Sequence, residues 1–233
     1  MRKICRKIKA LFYFIFIIFN AFAIFILFSF TNSQDRIWRI RKAWAKLQSK
    51  IIPFEVELVG EINQEAQMIV MNHQSMLDII ALEKIYPKNI VWVAKKELSQ
   101  IPIFKICTTK PKLICVDRKN PRDIVRILKE AKERLNEGRV LAIFPEGTRA
   151  RGSKLLKFQS GAKIIADKLN LKVQALLIVD SSKILDSKSF ELGSGTLKII
   201  CLDLIDTSDE QWLENTRKKM QEILDKERMN NGI

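Results

Sequence analysis

The chain has 233 residues, 47% of them apolar and 29% charged, which is enough to build the core of one domain and excludes a chain disordered throughout. Its formal charge of +15 is uneven, because residues 1–50 hold eleven Lys and Arg against Asp35 alone, leaving +5 for the rest. With one histidine and four scattered cysteines, none in a C-x-x-C pair, no zinc set is plausible; Cys5, Cys107, Cys115 and Cys201 read as reduced thiols of a cytoplasmic site.

The basic residues flank an apolar run from Ala10 to Phe30, 21 residues without a charge and long enough to cross a bilayer as a helix. That position assigns the charge to a membrane surface rather than to nucleic acid. No clear small-x-small cleavage site follows, so the run reads as an anchor. Arg2, Lys3, Arg6, Lys7 and Lys9 precede it and Arg36, Arg39, Arg41 and Lys42 follow it, so the positive-inside rule selects no orientation. A simple span and a re-entrant hairpin turning near Asn20 both satisfy these flanks. Next, Ile37, Ile40, Trp44, Leu47 and Ile51 recur at helical spacing among basic residues. They predict an amphipathic helix that lies in the headgroup region or packs on the domain behind it. Residues 1–50 are therefore expected to be a membrane-anchoring helical segment, and 51–233 one domain.

Beyond Pro53, short β-rich runs alternate with helical stretches. Strands are expected at 55–59, 68–71, 90–93, 113–116, 140–144, 173–179 and 197–204, and helices from Pro121, at 159–169 and at 209–227. The pattern predicts an α/β fold, with a largely parallel or mixed sheet flanked by helices.

The single histidine, His73, stands at the end of an apolar run in Asn72-His73-Gln74-Ser75-Met76-Leu77-Asp78. Imidazole titrates near neutrality and can take a proton from an attacking alcohol, and a carboxylate on its other nitrogen would fix the tautomer. Five residues place Asp78 on a different helix face from His73. The two meet only if His73 lies in a turn and Asp78 inside the following helix. Alone, the pair reads better as a helix cap and its edge than as a catalytic pair. Ser75 lacks a G-x-S-x-G elbow and is expected to support the turn through a backbone hydrogen bond.

Phe144-Pro145-Glu146-Gly147-Thr148-Arg149 follows an apolar strand, at the sheet edge where ligands bind in α/β folds. Gly147 admits close backbone approach, Arg149 suits phosphate or carboxylate, and Glu146 can anchor Arg149 or accept from a substrate hydroxyl. Val116-Asp117-Arg118 puts a second arginine after another strand.

Taken together, N-H-Q-S-x-x-D, V-D-R and F-P-E-G-T-R, in this order and spacing, resemble the glycerolipid acyltransferase family, most closely bacterial 1-acyl-glycerol-3-phosphate acyltransferases, over nearly all of residues 50–205. The resemblance implies that His73 is the general base and Asp78 its orienting acid, with no covalent acyl-enzyme. Arg118, Glu146, Gly147, Thr148 and Arg149 would hold the glycerol-phosphate, and Lys95 or Lys96 the thioester oxyanion. It implies transfer from acyl-CoA or acyl-carrier protein to the sn-2 hydroxyl of lysophosphatidic acid, without metal or bound cofactor and without nucleic acid. The expected location is the bacterial inner membrane, with the site facing the cytoplasm.

Two departures stand out. Val173-Gln174-Ala175 lacks a proline usual in the last strand motif, and Lys105 stands where glycine is common. If these touch the substrate pockets, the acceptor becomes another lyso-lipid, such as a lyso-ornithine lipid or lysophospholipid. A non-enzymatic, membrane-tethered basic binding protein is the other alternative.

Overall fold

The computed structural model describes residues 2–117, 120–150 and 152–230. Helix α1 (Arg2–Ser29) runs unbroken through Asn20, whose side-chain Nδ2 donates to the Phe16 carbonyl at 2.8 Å. Its one polar side chain at that depth is thus satisfied within the helix, and of the two arrangements the flanks allow, the hairpin turning near Asn20 does not form. The stretch Ile4–Ser29 is long and apolar enough to cross a membrane.

One face of α1 is nevertheless docked along its length. Ala10, Tyr13 and Phe28 are buried, while Phe12, Phe19, Phe22 and Ile26 point outward. Near one end, Arg6 donates to the Lys183 carbonyl at 2.8 Å. Just past the other end, Lys110 donates to the Thr31 carbonyl and to Asn32 Oδ1.

Helix α2 (Gln34–Ile51) starts at Ser33, whose hydroxyl caps the Arg36 amide, and it buries Ile37, Arg41, Ala45 and Gln48. That face is rotated from the predicted apolar stripe, so Leu47 and Ile51 stay exposed while Ile37 is buried. The helix packs on the domain, mainly against α3 (Met76–Ile85). Tyr13 joins α1 to α2 by donating to Gln48 Oε1 at 3.0 Å.

The sheet contains β1 (Phe54–Val59), β2 (Met68–Met71), β3 (Ile90–Lys95), β4 (Ile114–Val116), β5 (Val140–Ile143), β6 (Val173–Ile178) and β9 (Gly195–Ile205). A small hairpin of β7 (Leu185–Asp186) and β8 (Glu191–Leu192) stands apart from it. The seven strands lie in the order β1-β9-β6-β2-β5-β3-β4, with β6 and β9 antiparallel and the other neighbours parallel. The remaining helices are α4 (Pro102–Thr109), α5 (Ile124–Asn136), α6 (Gly161–Leu169) and α7 (Trp212–Asn230). All seven predicted strands are present, and the mixed α/β fold is the one expected.

Alternation along each strand divides the core in two. Ile69, Met71, Ala142 and Leu176 face α1, α2 and α3, whereas Met68, Val70, Leu141 and Leu177 face α5, α6 and α7. Covering both faces removes any need for polar positions, so central strands read as continuous apolar runs. On the α2 side, the Arg41 guanidinium bonds Glu83, and Glu83 Oε1 also accepts from Trp92 Nε1 at 2.6 Å. This buried ion pair is bonded further, Arg41 donating to the Ile90 carbonyl at 3.0 Å. Removing either partner would strand a charge, at a cost of about 3–5 kcal/mol.

Candidate active site

The strand order explains where the chemistry gathers. β2, β5, β3 and β4 are consecutive neighbours, and their C-terminal ends carry His73, the 144–149 loop, Lys95 and Asp117. Segments as far apart in sequence as His73 and the 144–149 loop thus share one sheet edge.

β2 ends at Met71 and α3 begins at Met76, so His73 lies in the connecting turn. Asn72 fixes the start of that turn as a surrogate strand partner: its Nδ2 donates to the Ile178 carbonyl at 2.8 Å and its Oδ1 accepts from the Ile178 amide at 2.7 Å. Ser75 caps α3 by accepting from the Leu77 amide, and its hydroxyl donates to the Leu185 carbonyl at 2.5 Å. The supporting role expected of Ser75 is the one observed.

Asp78 is the third residue of α3 and fully buried. Its Oδ2 lies 2.8 Å from His73 Nδ1 and accepts from the amides of Gln74 at 2.8 Å and Ser75 at 2.9 Å. The helix cap and the histidine partner are therefore the same carboxylate oxygen. A carboxylate there selects the tautomer protonated on Nδ1 and leaves the Nε2 lone pair as the proton acceptor. The imidazole stacks on Phe144 at 3.9 Å between centroids, and Phe144 stacks on Trp92 at 5.4 Å, so the ring plane is fixed as well.

Glu146 is placed differently from expectation. Its Oε1 accepts from the His73 amide at 2.7 Å and its Oε2 from the Leu156 amide at 2.8 Å. Both oxygens thus hold backbone, and Arg149, the partner expected for Glu146, instead donates to Ser187 Oγ at 2.7 Å. Glu146 staples the turn of β2 to the loop after β5, a bond the Ala150 amide reinforces by donating to the His73 carbonyl at 2.7 Å.

Burial pushes the Glu146 carboxyl up from 4.5 to about 7, against the two amide hydrogen bonds. Between those values the unfolded chain releases this proton before the folded one does. Its contribution to stability is therefore present at low pH and is lost as pH rises through about 7. In Glu146→Gln the unfolding midpoint should decline less steeply over that range; an unchanged slope would place the titration elsewhere.

Gly147 is buried with φ +71°, a conformation costly for other residues, and its amide bonds the Phe144 carbonyl to close the turn. Thr148 and Arg149 are exposed on the same loop. Lys95 and Lys96 are exposed at the end of β3, where Lys96 lies 3.3 Å from Asp117. Arg118 lies outside the described residues. An apolar cavity of about 410 Å³, walled by Ile124, Ile127, Ile143 and Ile164, borders Phe144 and Gly147.

Gln174 corrects an expectation. It sits near the N-terminal end of β6, buried, donating to the carbonyls of Glu61 and Leu202 and accepting from the Asn63 amide. That is four residues, roughly 13 Å, from Ile178 and the histidine turn. At position 174 the departure from the family motif is a polar bolt at the far end of the sheet from the histidine turn.

The residues that sequence reasoning missed are Asn72, Trp92 and Ser187. Asn72 stood inside the recognised motif, but a strand-bridging role has no local signal.

The chain matches the family described as Acyltransferase over residues 53–179. It is 39% identical over 202 residues to the 1-acyl-sn-glycerol-3-phosphate acyltransferase of Helicobacter pylori, covering 85% of each chain. To the Saccharomyces cerevisiae protein of that name it is 26% identical, covering 82% of this chain and 63% of that one. The crystal structure of PlsC, the 1-acyl-sn-glycerophosphate acyltransferase of Thermotoga maritima, superposes with a TM-score of 0.74 at 21% identity, covering 100% of this chain and 98% of that one. At that identity the superposition establishes a shared fold, and the sequence matches establish that this chain belongs to the Acyltransferase family.

Proposed function

We propose that the protein transfers a fatty acyl group from acyl-CoA or acyl-carrier protein to the sn-2 hydroxyl of 1-acyl-sn-glycerol-3-phosphate, forming phosphatidic acid. The observation that carries this reading is Asp78 Oδ2 on His73 Nδ1 at 2.8 Å, held by two backbone amides within the family match. His73 Nε2 takes the hydroxyl proton as that oxygen attacks the thioester carbonyl. The tetrahedral intermediate collapses with loss of the thiolate, which recovers the proton from His73. Arg149, with Arg118, holds the acceptor phosphate; Gly147 and Thr148 shape the loop beneath it; and Lys95 faces the oxyanion. The cavity beside Phe144 gives an acyl chain room near that base.

The acceptor and product are bilayer lipids, and α1 supplies the attachment. A helix tied to the same domain near both ends, over about 33 Å, does not cross a 30 Å hydrocarbon layer without taking the domain with it. α1 therefore lies in one leaflet, with Phe12, Phe19 and Phe22 in lipid and the site at the cytoplasmic face of the bacterial inner membrane, where acyl donors are available.

Full-length protein in nanodiscs, given acyl-CoA and then acyl-carrier protein with a panel of lyso-lipids, tests the assignment. Acylation of lysophosphatidic acid should exceed that of lysophosphatidylcholine and lyso-ornithine lipid. Indifference to a terminal phosphate would reject the acceptor.

A further inference from the structure

The β7–β8 hairpin makes contacts in two directions. Toward the site, the Leu185 carbonyl accepts from Ser75 Oγ at 2.5 Å, and Ser187 Oγ accepts from Arg149 Nη1 at 2.7 Å. Toward α1, the Phe190 ring stacks on Phe14 with centroids 4.8 Å apart and planes within 16°. Arg6 Nε lies 3.3 Å from Glu191 Oε2, and the same guanidinium covers Gly193, where a Cβ would approach Nη2 to 3.2 Å.

Phe190 holds φ +57°, a left-handed conformation that is an outlier for a bulky residue. Such strain persists where the surroundings over-determine it, and here the Phe14 ring does so. The hairpin is thus seated from two sides, by Leu185 and Leu192 buried in the core and by the Phe14–Phe190 stack on α1.

We propose that this hairpin couples the seating of α1 in the membrane to the geometry of the acceptor site, with Ser187 and Phe190 as positioning residues for Arg149. The coupling rests on the assignment of Arg149 to the acceptor phosphate. Arg149 is exposed, and an unrestrained arginine loses rotamer freedom whenever it grips a ligand. One bond to Ser187 fixes a terminal nitrogen in advance, and five guanidinium donors leave an edge for a phosphate. When α1 seats, Phe14 holds Phe190, Phe190 holds the hairpin, and Ser187 holds Arg149. The site is then organised for a phosphate at the depth where the lipid presents it.

The test uses full-length protein in nanodiscs, with acceptor and donor kinetics for Ser187→Ala, Phe14→Ala and Phe190→Gly, the last being free to adopt the positive φ. Each should raise KM for lysophosphatidic acid about fivefold, the scale of one positioning hydrogen bond, with kcat and donor KM within about twofold of wild type. Phe190→Tyr keeps the ring and should keep the wild-type KM. Because the residues act in series, Phe14→Ala with Ser187→Ala should be no worse than the larger single effect. An unchanged acceptor KM, full additivity, or kcat and both KM values worsening together would overturn the coupling.

Amide exchange gives a readout independent of turnover. Phe14→Ala should loosen residues 185–192 and 147–150 together while leaving β2 protected, and continued protection of either segment would overturn the proposal. If wild-type protein does not acylate lysophosphatidic acid, the acceptor assignment fails, and exchange still decides the coupling.

Discussion

His73→Ala should lower the rate of acyl transfer by about 10²–10⁴-fold while leaving the protein folded. In the proposed reaction the rate falls because the imidazole accepts the hydroxyl proton, its Nδ1 being occupied by Asp78 at 2.8 Å. The fold persists because the turn is held by main chain. The His73 amide still donates to Glu146, and its carbonyl still accepts from Ala150. The losses are one ring stacked on Phe144 at 3.9 Å, worth about 1 kcal/mol, and the Nδ1 bond to Asp78, worth about 1.5–3 kcal/mol, while Asp78 Oδ2 keeps both amide donors. Acyl transfer measured beside thermal unfolding separates the two effects. Wild-type turnover in this variant would show that the proton leaves by another route.

The same turn shows how much could be seen from the sequence. The strand-turn-helix arrangement that lets residues 73 and 78 meet followed from geometry alone, since five residues on one helix cannot bring them together. The strands were equally legible, because a sheet covered on both faces writes each central strand as an apolar run such as Met68–Met71. What one sequence does not carry is strand order. That β5 inserts between β2 and β3, setting Phe144 against His73, is decided by how crossovers pack, and no local pattern encodes it.

Local chemistry also misled in specific places. Glu146 beside Arg149 suggests an ion pair by proximity, yet the strand direction turns Glu146 inward to amides and leaves Arg149 outside with Ser187. The apolar stripe on α2 was displaced from its buried face because Arg41 and Gln48 find polar partners inside, which periodicity counts as outward residues. The β7–β8 hairpin was invisible, since two-residue strands have no period and its position comes from partners distant in sequence, Ser75 on Leu185 and Phe14 on Phe190, the latter 176 residues apart.

Asp78 decides whether the cap and the orienting acid can be separated, because one oxygen serves three donors. Asp78→Ala removes the acceptor for His73 and for the amides of Gln74 and Ser75 in a fully buried site. Each orphaned donor costs about 1–3 kcal/mol, so this variant should lose several kcal/mol of stability together with its activity. Asp78→Asn is isosteric, and its carbonyl can keep the amide bonds. What it loses is the charge that stabilises the imidazolium formed as the hydroxyl attacks. It should therefore unfold within a few degrees of wild type and still transfer acyl groups about 10²–10⁴-fold more slowly. Unfolding midpoints and single-turnover rates for both variants give the answer. If Asn and Ala were equally destabilising, or if Asn kept wild-type turnover, Asp78 would be a cap alone, and the orientation of His73 would fall to the Phe144 stack.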